Sequence, residues 1–169
     1  MKRLFQLSAL AGCLLLGVST FVLGQEADDA EPDNHDLQIA TFKGPSRLVV
    51  QTKSGALTTT SPNYAELTQA GVNVPGPGYL VATFSGESIC TGGTWCTLKL
   101  MVNGVEMNPV VGTDFAFDSA GDQWESHSVQ RISNLLPAGV KIVDVHWAAV
   151  GGATFRIDDW LLKIEFWPK

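Results

Sequence analysis

Positive charge is scarce in this sequence. Eleven Lys and Arg stand against 17 Asp and Glu over 169 residues, and no stretch gathers the basic ones into a stripe. That argues against nucleic acid as a partner and against adsorption to an anionic membrane surface. Cysteine is also scarce, at three, with no CxxC pair to suggest a redox centre. From Leu37 onward no stretch of ten or more residues has helical periodicity, leaving room only for one turn at Tyr64 to Ala70. A Gly-x-Ser-x-Gly nucleophile elbow is missing as well.

The one long apolar run, Leu4 to Leu23, follows Met1-Lys2-Arg3 and ends at Val22-Leu23-Gly24. This is the pattern of a secretion signal, with cleavage expected near Gly24 and residues 1–24 removed. Diluted by Gly, Ser and Cys, the run is marginal for spanning a bilayer, so no membrane span is expected after processing. Leu10-Ala11-Gly12-Cys13 spells a lipobox, but the apolar run continues for ten residues past Cys13. A lipobox normally closes that run, so lipid anchoring at Cys13 is not expected. Residues 25–36 carry six acids and no apolar cluster and are expected to be a flexible acidic spacer, with His35 solvated. Residues 37–169 then form one domain with a net charge near −2 (nine basic, 11 acidic residues), free of repeats and internal linkers.

That domain is expected to be all-β. Residues alternate with period two in Tyr79 to Ser85, Cys96 to Val102, Lys141 to Ala149 and Phe155 to Trp167. The alternation puts Leu80, Ala82 and Phe84 on one face, as it does Leu98, Leu100 and Val102, then Val143, Val145 and Trp147, and finally Trp160, Leu162, Ile164 and Phe166. Arg47 to Thr52, Asp114 to Asp118 and Trp124 to Ile132 are further candidate strands. Asn103-Gly104 is a type I′ hairpin signal. Seven or eight strands spaced by about ten residues predict an antiparallel β-sandwich. Cys90 and Cys96 flank Thr-Gly-Gly-Thr-Trp, and in an oxidising compartment they should be bonded across a hairpin loop.

The order of these features resembles the jelly roll shared by C1q-type and tumour-necrosis-factor-type domains: a strand opening at Gly78-Tyr79-Leu80, a strand–Asn103-Gly104–strand unit, then Ser126 to Ile132, Gly139 to Trp147 and Phe155 to Ile164. The resemblance implies a jelly roll and admits a trimer, although monomer is the expectation. Over residues 60–166 the chain also resembles uncharacterised secreted bacterial proteins. That likeness is carried by Trp95-Cys96, Val102-Asn103-Gly104, Asp114-Phe115-Ala116-Phe117-Asp118-Ser119, Trp124-Glu125-Ser126-His127-Ser128, Arg131 and Phe155-Arg156-Ile157-Asp158-Asp159-Trp160. Such proteins often carry a longer loop where this chain has Asp118 to Trp124, and the resemblance implies no catalytic residue.

Three constellations bear on function. In Glu125-Ser126-His127-Ser128 a serine nucleophile would need an imidazole and an orienting carboxylate. Neighbouring strand residues face opposite ways, so the base would have to come from elsewhere, for instance His146 with Asp144. Asp114, Asp118 and Asp122 recur every four residues and are calcium candidates, although Asp118-Ser-Ala-Gly-Asp122 also reads as a plain turn. Asp158 or Asp159 is expected to pair with Arg131 or Arg156. Among five Trp, Trp147 and Trp160 belong to apolar faces. Trp95, Trp124 and Trp167 are free to be exposed, and with His127 the first two are the candidate ligand contacts. The expectation is a secreted or periplasmic, non-catalytic module that binds glycan or protein at its loop edges. No cofactor is expected unless it is Ca²⁺. The rival readings are a small Ser/His/Asp hydrolase and a structural, oligomer-forming subunit.

Overall fold

The computed structural model describes residues 44–169; the signal and the whole spacer, with Cys13 and His35, lie outside the described residues. Ten strands follow one another: β1 (Arg47–Lys53), β2 (Leu57–Thr59), β3 (Ala65–Val74), β4 (Gly78–Thr91), β5 (Trp95–Val102), β6 (Val105–Glu106), β7 (Asp118–Ser119), β8 (Glu125–Ile132), β9 (Gly139–Val150) and β10 (Thr154–Pro168). Among the described residues there is no helix, and hence none long and apolar enough to cross a membrane.

The strands form two antiparallel sheets. One runs β1-β10-β4-β8 with β2 also on β10; the other runs β3-β9-β5-β6 with β7 also on β5. The pairs β1–β10, β3–β9, β4–β8 and β5–β6 are nested from the outside inward. This is the signature of a long hairpin rolled over on itself, a jelly roll. The innermost turn is Asn103-Gly104, where both residues have positive φ, 48° and 78°, as a type I′ turn requires.

The core lies between the sheets and consists of the predicted faces. Leu80, Ala82, Phe84, Leu98, Val143, Val145, Leu162, Ile164 and Phe166 have no exposed surface. Trp147 and Trp160 join them, exposed by only 6% and 2%.

β10 departs from simple alternation. Phe155 and Ile157 point inward, and so do Trp160, Leu162 and Ile164. The pairing with β4 slips between Asp158 and Leu161, and Asp159 takes φ 42°. A bulge there reverses which parity faces the core. Gly86 opposite makes room, since a Cβ on it would come within 2.9 Å of Trp160 Cβ. β1 and β2 both pair with β10, on either side of this bulge.

Two expectations are corrected. Tyr64 to Ala70 holds no helical turn: Ala65 onward is β3, paired with β9 and facing Thr68, Val72 and Val74 inward. Asp114 to Asp118 is not a strand; only Asp118–Ser119 pair, with Cys96 and Trp95. Tertiary pairing overrides the weak local pattern in both places.

Candidate functional site

Cys90, near the end of β4, and Cys96, at the start of β5, are bonded with Cα atoms 5.8 Å apart. A covalent loop this short contributes about 2 kcal/mol. Both residues also hold the chain that returns across the flank of the sandwich. Phe117 N–H donates to Cys96 O (2.9 Å) and Gly121 N–H donates to Cys90 O (2.7 Å). The disulfide hairpin therefore fixes residues 117–121; one recess is lined by these residues and another by Gly112, Thr113 and Phe115 just before them.

The first recess is on the side of the sheet containing β5 and β9. It is a groove of about 230 Å³ lined by Pro62, Tyr64, Trp95, Thr97, Thr113 and Phe115, among others. Trp95, Thr97, Ala148 and Val150 alternate with the inward-facing residues of β5 and β9, so they form the outer surface of that sheet. Tyr64 Oη lies 3.2 Å from Thr97 Oγ1, and Lys99 Nζ sits 4.4 Å from the Tyr64 ring centroid. These contacts hold the tyrosine as a wall. On the other side, Phe115 carries the Arg131 guanidinium 4.9 Å above its ring. Burial pulls the pKa of Arg131 below its ordinary value, against the opposing influence of Glu106.

The second recess is a pocket of about 260 Å³ lined by Asp118 to Gln123 and Glu125. Asp118 is 4% exposed and accepts a 2.6 Å hydrogen bond at Oδ2 from Ser88 Oγ, itself fully buried. Glu125 and His127, two apart on β8, share a face. His127 Nε2 lies 3.4 Å from Glu125 Oε2 and 3.7 Å from Asp118 Oδ1. Phe117 packs against the imidazole with ring centroids 5.4 Å apart and the planes tilted by 56°. Trp124, beside the pocket in sequence, is 41% exposed and lies under Arg156 (5.1 Å).

The structure separates the other predicted partners. Ser126 and Ser128 are exposed on β8. Asp144 and His146 belong to β9 in the other sheet, where His146 pairs with Glu66 and Lys99. No Ser–His–Asp set assembles from these residues. Of the calcium candidates, Asp118 joins the cluster with Glu125 and His127, Asp122 lines the same pocket, and Asp114 lies apart in an exposed turn. Neither Asp158 nor Asp159 pairs with an arginine: Asp158 Oδ1 accepts from Asp159 N–H (2.9 Å), while Arg131 and Arg156 lie over aromatic rings. Ser88 is not among the predicted site residues, and Glu125 enters the prediction only as the first residue of Glu125-Ser126-His127-Ser128. Ser88 is in phase with Leu80, Ala82 and Phe84, so a polar side chain turned inward was the available signal.

No family model matches the chain, and no curated protein matches it. Among solved structures it is similar to the C-terminal domain of EclA, a sugar-binding protein, at 17% identity and TM-score 0.38, covering 78% of this chain and 86% of that one. It is also similar to dimeric latent PorU from Porphyromonas gingivalis, at 10% identity and TM-score 0.41, covering 78% of this chain and 14% of that one.

Proposed function

We propose that the chain is an exported, non-catalytic glycan-binding module whose ligand site is the groove over Trp95. The observation that carries this reading is the groove's wall composition. An indole, a phenol and a phenyl ring converge with the hydroxyls of Thr97 and Thr113. A sugar ring offers an apolar C–H face to an aromatic plane and hydroxyls to the rim, the two chemistries present here. At about 230 Å³ the groove is smaller than the ~300 Å³ at which typical drug-sized sites begin, which suits a single sugar residue of a longer chain. Export is supported by Lys2-Arg3 and the apolar run after it, and the Cys90–Cys96 bond is compatible with an oxidising compartment.

The test is a glycan array probed with the full chain, disulfide intact, followed by calorimetry on the best oligosaccharide. Trp95→Ala should weaken binding by at least ~10-fold, as loss of a central aromatic anchor does, while Trp124→Ala stays within about 2-fold. An array with no retained glycan would overturn the reading, and so would equal losses in the two variants.

A further inference from the structure

The pocket at Asp118 has a chemistry that glycan stacking does not use. We propose that Asp118, Glu125 and His127 bind a divalent transition ion of the Zn²⁺ class. This inference is independent of the groove.

The three side chains offer one imidazole nitrogen and two carboxylate oxygens, all within 4.8 Å of one another. Two donors held ~2.1 Å from a tetrahedral ion are about 3.4 Å apart. The two contacts of His127 Nε2, 3.4 Å to Glu125 and 3.7 Å to Asp118, have that edge length. Nε2 itself has no exposed surface and no hydrogen-bond partner, although the ring as a whole is 25% exposed. A buried donor or acceptor left this way is destabilising, and an ion between the three donors supplies the missing partner.

The supporting contacts are those of a metal ligand. Ser88 Oγ–H occupies Asp118 Oδ2 and leaves Oδ1 turned toward His127; outer hydrogen bonds of this type orient ligating carboxylates. Phe117 fixes the plane of the imidazole. Asp118 and Glu125 also line the pocket, from which a water can supply the fourth ligand. The nitrogen donor selects against Ca²⁺ and Mg²⁺, which take oxygen ligands, and favours Zn²⁺ and its neighbours.

Titration with the ion alone tests the site. The full chain, disulfide intact and stripped with a chelator, is titrated with ZnCl₂ by calorimetry, and separately with CoCl₂ by visible absorption. One Zn²⁺ per chain in the micromolar range or tighter is expected, with the visible bands of tetrahedral Co²⁺. Glu125→Gln, at a side chain 63% exposed, should fold normally and weaken Zn²⁺ by at least ~10-fold; His127→Gln should abolish the Co²⁺ bands. Absence of saturable Zn²⁺ uptake would overturn the site, as would uptake unchanged in Glu125→Gln, or Ca²⁺ bound in preference. If His127→Gln fails to fold, Glu125→Gln still decides.

Discussion

In the two sheets, Leu80, Phe84 and Leu162 on one side and Leu98, Val143 and Val145 on the other are wholly buried; in the crossing segment, residues 107–124, Val110 and Trp124 are 60% and 41% exposed. Met107, Val111 and Phe117 turn inward there, and the rest of the segment hangs on polar ties. Asn108 N–H donates to Ile132 O (2.7 Å), Phe117 N–H to Cys96 O and Gly121 N–H to Cys90 O. Val111 N–H donates to Glu106 Oε1 (2.7 Å), and Ser88 Oγ–H to Asp118. The sheets are thus ordered by apolar burial, which is non-directional and large. The segment is ordered by hydrogen bonds, each of which adds little net energy but fixes direction. Both recesses are built against the segment. Both candidate sites therefore lie where geometry is set by a few contacts that contribute little to overall stability.

Three substitutions probe that contrast. Phe84→Ala removes a ring with no exposed surface that packs against Phe117 and Trp160. It should cost about 3–5 kcal/mol in urea unfolding, more than the loss of any one of the polar ties. Replacing Cys90 and Cys96 together by Ala should cost about 2 kcal/mol, and its distinctive effect should be local. Hydrogen exchange at the Phe117 and Gly121 amides should accelerate well beyond what the stability loss explains, while the centre of β4 keeps its relative protection. Uniform acceleration throughout would show that the hairpin does not anchor the segment. Ser88→Ala should cost the least, about 1.5 kcal/mol, because Asp118 loses a hydrogen bond to a charged acceptor. An unfolding cost matching that of Phe84→Ala would erase the distinction between the two regions.

The sheets were legible because burial on one face leaves a period-two trace, clearest in β4, β5 and β9. Even the bulge in β10 is written in residues, as the apolar positions switch from odd (Phe155, Ile157) to even (Trp160, Leu162, Ile164). β3 was not legible: Thr68 takes a core position, only Val72 and Val74 mark the inward face after it, and a register slip between Glu66 and Thr68 interrupts the phase. The candidate sites were legible in part. Trp95 and His127 draw notice as residue types. Nothing local, however, brings Ser88 to Asp118, 30 positions apart, or sets Tyr64 and Phe115 on either side of Trp95. Those placements come from the nesting of strands and from the crossing segment, and neither has a sequence period.

The nested pairing has one more consequence, for presentation. Ser46 N–H meets Phe166 O and Pro168 pairs with Gly78, so the chain enters and leaves the sandwich at the same end. Cys90 lies at the other end of β4, about 40 Å away at ~3.3 Å per residue, with Asp118 and Trp95 beside it. Asp118 and Trp95 are thus separated by the length of β4 from the backbone at Ser46 and Pro168, so a ligand held beside them leaves that end of the sandwich free.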